Sequence, residues 1–563
     1  MTRTARTRFR AATAALLACL IAAQIFSASR ESTTGDEPLE LAAGYSYLKT
    51  GDFRMNPEHP PLAKILAALP LLMLRPSLPL DSKSWATGDE AAFGMQFLHQ
   101  NGGSFDADLF AARMLSVLLA ACLGLAIVWW TRAAFGPQAA LFALALYAFD
   151  PTAIAHGHYV KNDLPAALFC FLAVIAWCGY LNRPTPRRLA VAGLGLGLAL
   201  ATKFSALFLL PVLVILYAIG WWQRREGLSL RRGLGALLAV FTIGAVVVWL
   251  IYAGFSGLHA VRLQGISASA GKALLDRDQV RSYYRLVARG LPRAHPYVEG
   301  LLVALDHDTF GHPCYLLGMQ GTQGWWYYFP VAFAVKLPAA TLAALALAGV
   351  LVVRRLRRAR PRSVALDWYG LAVPAAVFWA FAMHNHLNIG IRHLLPVWPF
   401  AFVFTSAALT RLPLPGSRAV RAILITGVVV ESMLICPHYT AFFNVFAGGP
   451  SNGPRILADS NIDWGQDARN LATWLREHHA SRVCLDYFGS ADIGRLGVQG
   501  PPVPETSDTQ GRAHVDCFAA ISTNILYDAF GDPQRHAWLR AMRPVARVGY
   551  SIYVYDLRKD ATH

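Results

Sequence analysis

Two adjacent carboxylates, Asp36 and Glu37, follow directly after the first apolar segment of the chain. Acidic side chains are costly beside a lipid bilayer, and those that occur there usually serve a function. A carboxylate in such a position can act as a general base that takes the proton from an attacking hydroxyl group. Residues 56–64 come soon afterwards and contain His59 and Lys64. This region is therefore the first candidate for a chemical site.

Further polar side chains, which lie in or beside the apolar segments, could complete that site. They comprise one acid, Asp163, and several cations that could hold a phosphate group. The candidate cations are Arg113, Lys203, Lys336 and Arg392. Carboxylates that face cations just inside a membrane surface describe a site for an anionic, lipid-linked substrate, because charge-assisted hydrogen bonds to phosphate are strong. Asp163 could belong to this site, or it could cap the helix that follows it.

The composition indicates a membrane protein. Of the 563 residues, 55% are hydrophobic and only 15% are charged, and the mean hydropathy is +0.37. The apolar residues form runs of about 18–22 residues, the length that crosses a bilayer as a helix. The net charge of +17 does not indicate a nucleic-acid partner, because the arginines cluster at alternate connections between these runs. Such clusters are typical of cytoplasmic loops.

We expect an α-helical polytopic membrane protein with about eleven transmembrane helices. An odd number of spans puts the N-terminus inside and the C-terminus outside when the arginine clusters are cytoplasmic. Residues 9–28 could instead be a signal peptide, but we interpret them as a retained span because the acidic pair follows so closely. The predicted spans are 9–28, 109–131, 138–156, 164–182, 188–202, 204–222, 233–254, 327–352, 365–384, 395–411 and 418–437.

The predicted transmembrane domain covers residues 1–437, with long outer loops at about 29–108 and 255–326. The tail, residues 438–563, changes in character and predicts a small extracytoplasmic α/β domain, because short apolar strand-like runs alternate with helical periodicity. The predicted strands are 483–488, 515–521 and 548–555, and the predicted helices are 464–478 and 535–542.

The cysteines show no metal-ligand spacing. Cys484 and Cys517 both lie in the predicted extracytoplasmic domain, where they could form a disulfide or stay free. Two His-X-His pairs on the predicted outer side would allow a divalent metal, but they lack a clear carboxylate pattern. We therefore expect no metal and no other cofactor.

The order of the motifs resembles that of a known superfamily. Residues 59–64 read His-Pro-Pro-Leu-Ala-Lys after an Asp-Glu pair, which resembles the first-loop signature His-Pro-Pro-Leu-Gly-Lys of protein O-mannosyltransferases. The aminoarabinose transferase of lipid A is a more distant relative of that superfamily. Further stretches, which extend the likeness to a bacterial branch over nearly the whole chain, are 324–330 with Lys336, 388–396, 448–450 and 459–466.

The resemblance implies a GT-C fold and an inverting glycosyltransferase. Such an enzyme would move a hexosyl or pentosyl group from a polyprenyl phosphate to a hydroxyl group of a protein Ser or Thr, a glycan or a lipid. By this resemblance Asp36 would be the catalytic base, and Glu37 would orient the acceptor or Asp36 itself. Arg113 matches the position whose arginine contacts the lipid phosphate in these enzymes.

The remaining candidates divide by charge. Lys203, Lys336 and Arg392 would assist in binding the donor phosphate, and the candidate substrate-binding residues are His59, Lys64 and Asp163. The resemblance places the protein in a bacterial inner membrane, with the site and the C-terminus on the periplasmic side and membrane lipids as its surroundings.

Two other functions compete with a transferase. A transporter or flippase of lipid-linked sugars would use the same cations without a general base, and a non-catalytic scaffold would use the tail to bind a partner. Transporters usually show internal repeats and polar groups near the membrane midplane. Here the polar groups lie near one face and no repeat is found, which favours the transferase.

Overall fold

A computed structural model describes residues 2–223, 228–255, 295–357, 364–505, 516–527, 529, 531–532 and 534–558. Most of the predicted outer loop at 255–326, namely residues 256–294, lies outside these ranges, as does the start of the predicted strand at residue 515. The helices of the first half are α1 Arg3–Arg30, α2 Glu37–Thr50, α3 Leu62–Ala68, α4 Leu71–Leu74, α5 Lys83–Thr87, α6 Glu90–Phe135, α7 Pro137–Ala148, α8 Pro151–His158, α9 Asp163–Asn182, α10 Pro186–Leu200, α11 Leu209–Trp222 and α12 Leu230–Phe255.

The second half continues with further helices and with short 3-10 helices in the connections. The helices are α13 His295–Phe310, α14 Tyr328–Lys336, α15 Ala339–Leu356, α16 Leu366–His384, α17 Trp398–Arg411 and α18 Ser417–Ile435. The 3-10 helices are Phe204–Phe208, Ile391–Val397, Tyr439–Ala441, Val445–Ala447, Gly453–Arg455 and Asp459–Asn461. A two-stranded hairpin, β1 Cys314–Leu316 and β2 Met319–Gly321, lies between α13 and α14.

The prediction of a multi-pass helical membrane protein is confirmed. Among the described residues, eight helices are long and apolar enough to cross a membrane, and the bent pair of α7 and α8 raises the number to nine if it forms one span. The prediction of about eleven is therefore higher than this count. Two predicted spans, 188–202 and 418–437, form α10 and α18. These helices are not counted, because one is too short and the other carries too many charges. The former has only 15 residues, and the latter carries Arg418, Arg421 and Glu431.

Two predicted boundaries are corrected by local chemistry. Helix α6 starts at Glu90 rather than near 109 and is 46 residues long, because the side chain of Asp89 caps it by accepting from the Ala92 amide. The predicted span 327–352 is broken between α14 and α15. Pro338 lacks an amide hydrogen and forces Leu337 into an extended conformation, which ends α14 at Lys336.

Close packing of α10 against α9 and α12 positions Lys203, which follows α10. A side chain at Gly195 would put its Cβ 3.0 Å from the Cα of Ala173 in α9, and one at Gly197 would put it 2.5 Å from the Cβ of Val247 in α12. Glycine is needed at both positions because the three helix backbones approach so closely. This packing places the end of α10 beside the start of α9.

The tail forms the predicted α/β unit. Its helices are α19 Ala468–Glu477, α20 Thr523–Leu526 and α21 Ala537–Ala541, and its strands are β3 Val483–Asp486, β4 Phe518–Ser522, β5 Ala546–Val548 and β6 Ile552–Asp556. The sheet order is β3-β4-β6-β5, with a parallel β3–β4 pair and antiparallel neighbours elsewhere.

The prediction of one continuous strand over residues 548–555 of the tail was wrong. Gly549 and Tyr550 have φ angles of 58° and 62°, so the chain turns there and β5 pairs with β6. Two successive residues with positive φ are typical of the tight turn of a β-hairpin.

The tail has two kinds of core. Most buried apolar residues from Tyr439 to Trp464 pack in the same hydrophobic cluster as the transmembrane helices, whereas most of those from Ala468 onward form clusters of their own around the sheet. Ala458 and Ala529 instead share a small cluster with Tyr315. The predicted domain boundary at residue 437 stays a prediction, and the change of core falls between Trp464 and Ala468.

Cys484 in β3 and Cys517 just before β4 form a disulfide, the pairing that the sequence left open. The six other cysteines, all of them described, form no disulfide.

Replacing Cys484 and Cys517 together by serine should destabilise the tail. The bond closes a loop with a sequence separation of 33 residues, for which the loss is about 3–4 kcal/mol in the free energy of unfolding. Maleimide labelling of the denatured wild type should modify six cysteines without reductant and eight with it. Eight labelled cysteines before reduction would contradict the disulfide.

Candidate active site

A cavity of about 540 Å³ opens where the loop before α2, the α8–α9 connection, the 3-10 helix Ile391–Val397 and the tail meet. Four of the sequence-predicted residues line it, namely Asp36, His59, Lys203 and Arg392. The other five, which do not line it, are Glu37, Lys64, Arg113, Asp163 and Lys336. The cavity is also lined by charged residues that were not predicted from the sequence as site residues: Glu40, Glu58, Glu90, Lys161 and Asp459.

Asp36 lies at the start of α2 with its carboxylate directed into the cavity. Its side chain makes no capping hydrogen bond to α2 and is 33% exposed. One carboxylate oxygen, Oδ2, lies 2.9 Å from Nζ of Lys161 and 3.5 Å from Nη1 of Arg392. Burial alone would raise the pKa of Asp36, but the charges of Lys161 and Arg392 outweigh it and lower that pKa. Asp36 is therefore an ionised carboxylate at neutral pH.

Lys161 is the main partner of Asp36. Its Nζ also lies 2.5 Å from Oε1 of Glu40, one turn further along α2. Burial would lower the pKa of Lys161, yet the two carboxylates Asp36 and Glu40 raise it above its ordinary value, so the ammonium stays charged. The signal that could have found Lys161 is a lysine in a short connection between two apolar helices, two residues before Asp163.

Asp163 lies behind two cations of the cavity wall. Its carboxylate bonds to Nζ of Lys203 and lies 3.4 Å from Nη1 of Arg392, and the residue is almost fully buried. Its side chain does not cap α9. Asp163 thus holds Lys203 and Arg392 in place instead of facing the cavity itself.

Arg392 is also fixed from the side of the tail. Its guanidinium lies 4.3 Å from the ring centroid of Trp464, a cation–π contact, and its Nε donates to Oγ of Ser460 at 3.0 Å. Ser460 Oγ in turn donates to the carbonyl of Ile389 at 2.6 Å. The guanidinium is therefore held at the wall between a carboxylate and an indole ring.

Arg113 lies away from the cavity and is fully engaged. Its Nε and Nη2 donate to the two carboxylate oxygens of Glu37 at 2.9 and 2.6 Å. The remaining bonds go to the carbonyls of Ala28, Glu31 and Ser32 at 3.1, 3.2 and 2.8 Å. These contacts account for the five N–H groups of a guanidinium. We therefore assign Arg113 a positioning role instead of the predicted phosphate contact.

Glu37 connects this arginine to the site. Besides binding Arg113, its carboxylate accepts from the amides of Thr34 and Val160 at 2.9 and 3.0 Å. Because Val160 precedes Lys161, these bonds fix the distance between Asp36 and its main partner. Glu37 thus ties the backbone before Asp36 to the backbone before Lys161, and its predicted role of orienting Asp36 or the acceptor stays a prediction.

A second buried pair extends the same network. Nε2 of His158 donates to Oε2 of Glu31 at 2.7 Å, and Nδ1 of His158 faces the carbonyl of Ile154 at 3.0 Å. Both ring nitrogens of His158 thus face oxygen atoms of neighbouring groups. Burial raises the pKa of Glu31, but His158 and Arg113 lower it to about 2 overall.

Lys336 and Lys64 are also structural in this arrangement. Nζ of Lys336 donates to the carbonyls of Thr440 and Asn461 at 2.9 and 2.6 Å. Nζ of Lys64 donates to the backbone and side-chain oxygens of Asn56 and to the carbonyl of His59, at 2.6, 2.9 and 2.8 Å. Neither lysine lines the cavity, so this geometry gives no support to the predicted phosphate contact of Lys336 or the predicted substrate contact of Lys64, and both stay predictions.

His59 reaches the cavity from the turn that Lys64 holds. Burial and the nearby charges of Lys161 and Lys203 lower the pKa of His59 well below its ordinary value, so its imidazole is neutral. His307 is different, because Nδ1 lies 2.5 Å from Oε1 of Glu58 and this hydrogen bond raises its pKa. Among the described residues, no group of three or more His, Cys, Asp or Glu side chains could hold a metal ion, and metal independence stays a prediction.

With the site in place, the chain can be compared with known proteins. Residues 42–264 match the family model described as dolichyl-phosphate-mannose-protein mannosyltransferase. The predicted resemblance to the protein O-mannosyltransferase-like superfamily is thereby confirmed over these residues.

Individual proteins extend that likeness. The chain is 28% identical over 327 residues to an undecaprenyl phosphate-alpha-4-amino-4-deoxy-L-arabinose arabinosyl transferase of Pseudomonas fluorescens, which matches 56% of this chain and 46% of that protein. The chain thus spans about half the length of this curated relative, and the predicted distant relationship to aminoarabinose transferases is confirmed.

Two solved structures show similarity at low sequence identity. ArnT from Cupriavidus metallidurans bound to undecaprenyl phosphate is 13% identical, with a TM-score of 0.49 over 97% of this chain and 98% of that one. The Pmt1-Pmt2 complex of S. cerevisiae bound to the sugar donor is 17% identical, with a TM-score of 0.33 over 44% of this chain and 33% of that one.

Replacing Arg113 by alanine should destabilise the protein. The change leaves the carboxylate of Glu37 and the backbone carbonyl of Glu31 buried without their partner. The expected loss in the free energy of unfolding is about 3–5 kcal/mol. Arg132→Ala, at an exposed position of the same helix, is the matched control. Thermal unfolding in detergent measures the positioning role of Arg113, and equilibrium binding of polyprenyl phosphate measures the predicted phosphate contact. Unchanged stability with lost lipid-phosphate affinity would restore the phosphate contact.

Proposed function

We propose that this protein is an inverting glycosyltransferase that takes a sugar from a polyprenyl phosphate and passes it to a hydroxyl acceptor. The observation that carries the proposal is the ionised carboxylate of Asp36 in a cavity whose wall also presents Lys161, Lys203 and Arg392. The matched mannosyltransferase family and the arabinosyl transferase relative support a lipid-linked donor.

The reaction would be a single displacement. Asp36 accepts the proton of the acceptor hydroxyl while that oxygen forms a bond to the anomeric carbon. The bond from the anomeric carbon to the phosphate oxygen breaks on the opposite face, so the anomeric configuration inverts. The electron pair of that bond leaves with the polyprenyl phosphate.

The cations of the wall suit the leaving phosphate. Lys203, Arg392 and Lys161 are fixed donors that can meet the charge developing on the phosphate oxygens, and such preorganised donors lower the barrier because they need not reorient. Asp163 and Glu40 hold these cations from behind.

Donor binding would also make Asp36 a better base. Without a phosphate, Lys161 and Arg392 face Asp36 and keep its pKa low, which weakens it as a proton acceptor. A phosphate bound to the same two cations would offset their charge at the carboxylate without moving them, and would so raise the pKa of Asp36. The base would then gain strength when the donor is in place.

The acceptor would be a protein Ser or Thr, a glycan or a lipid on the outer face of a bacterial inner membrane. The disulfide in the tail supports an extracytoplasmic side for the site, because the tail lines the same cavity. The transferred group would be a hexose or a pentose.

Replacing Asp36 by asparagine should lower the release of polyprenyl phosphate from a polyprenyl-phosphate sugar about 10²–10⁴-fold, because the general base is lost. The amide is nearly isosteric, so thermal stability and affinity for sugar-free polyprenyl phosphate should change little. Asp81→Asn, at an exposed position, is the matched control. Full turnover by the Asp36 variant would exclude Asp36 as the base, and Asp36-independent movement of labelled lipid across vesicles would favour a flippase.

The pH dependence of kcat/KM should report the contact between Asp36 and Lys161. Activity falls as pH drops through the pKa of Asp36, which lies below the ordinary value in the wild type, so little activity should be lost above about pH 4. Lys161→Met should move this acid limb upward by about 1 pH unit or more, whereas Lys161→Arg, which keeps the charge, should leave it in place. If the acid limb of the pH profile lay at the same pH in the wild type, Lys161→Met and Lys161→Arg, Asp36 would not be the base that Lys161 controls.

A further inference from the structure

The tail contributes directly to the cavity. Asp459, Trp464 and Phe488, which all follow the transmembrane helices in the sequence, line it together with Asp36 and the cations. The ring centroid of Trp464 lies 4.3 Å from the guanidinium of Arg392, so Trp464 belongs to the cationic part of the wall. Asp459 and Phe488 have no such role in the mechanism described above.

Phe488 is fixed next to the segment that carries Asp36. It follows β3, and its amide donates to Oγ of Ser522 at 3.0 Å. Two residues later, Ser490 donates to the carbonyl of Thr34 at 2.7 Å, two residues before Asp36. These bonds tie the Phe488 loop to both the sheet and the base.

The backbone at this point leaves little room for movement. Gly489 has a φ of 154°, and a Cβ there would lie 2.7 Å from the Cα of Gly465. The hydroxyl of Tyr487 donates to the carbonyl of Gly465 at 2.5 Å. Phe488 is therefore held at the cavity by a rigid turn.

Asp459 is held in an unusual conformation on the same side. Its φ of 58° lies in the left-handed region, which costs energy in a residue other than glycine and is often found at functional sites. Its amide donates to Oδ1 of Asn524 in α20 at 2.7 Å, so the sheet unit fixes this turn. From the other side, Oδ1 of Asn461 accepts from the amide of Ile391 at 2.9 Å.

We infer that Phe488 and Asp459 form the sugar end of the cavity and determine which sugar is transferred. The inference rests on the proposed function, since a donor whose phosphate meets Lys203 and Arg392 must place its sugar near Asp36. There the ring of Phe488 packs against the apolar face of the sugar, and the carboxylate of Asp459 accepts a hydrogen bond from a sugar hydroxyl. A site that bonds a substrate hydroxyl discriminates strongly against sugars lacking it.

The ring can be tested with Phe488→Leu, which keeps an apolar side chain. Release of polyprenyl phosphate is followed for a panel of polyprenyl-phosphate hexoses and pentoses, beside Phe446→Leu, a control at an exposed aromatic position outside the cavity. The ratio of kcat/KM between the best and the poorest donor should change about tenfold or more, which corresponds to about 1.4 kcal/mol. Affinity for sugar-free polyprenyl phosphate should stay the same.

The carboxylate can be tested with Asp459→Gly, because glycine adopts the same positive φ without strain. Here KM for the preferred donor should rise about tenfold with kcat little changed, in contrast to the loss of kcat in Asp36→Asn. An equal fall of kcat/KM for every donor, or a parallel loss of affinity for the sugar-free lipid, would overturn the inference. A wild type that releases no lipid phosphate from any donor would overturn the proposed function itself, and the inference with it.

Discussion

The site depends on one constraint, which is that a buried charge must be matched by an opposite charge or by hydrogen bonds. Removing an ion from water costs several kcal/mol, and an unpaired buried charge is not tolerated. Asp36 can remain ionised because Lys161 and Arg392 face it, and these cations are matched in turn by Glu40 and Asp163. Because these ion pairs hold Lys161, Lys203 and Arg392 at the wall of the cavity, the cavity presents cations that an anionic donor could bind.

Behind this wall lies a second set of ion pairs that never faces the cavity. Arg113, Glu37, Glu31 and His158 bind one another and the backbone of the loop before α2. Their contribution is positional, because they fix the distance between Asp36 and the connection that carries Lys161. A bidentate arginine–carboxylate pair suits this role, since its planar geometry allows little rotation.

The sequence predicted the helical membrane architecture and the small α/β tail well, because long apolar runs and alternating apolar patterns report burial directly. It could not tell which cations face the cavity. Arg113 and Lys161 are both basic residues beside apolar segments, and only the tertiary packing shows that one is saturated by Glu37 and backbone carbonyls and the other meets Asp36. The break at Pro338 was readable from the sequence, because proline disfavours a continuous helix.

The most direct test of the account is a structure of the Asp36→Asn variant with an uncleaved polyprenyl-phosphate sugar bound in lipid. We predict phosphate oxygens about 3 Å from nitrogen atoms of Lys203, Arg392 or Lys161, with the anomeric carbon facing residue 36. A lipid phosphate bound at Arg113 or Lys336, or outside the cavity altogether, would contradict the account.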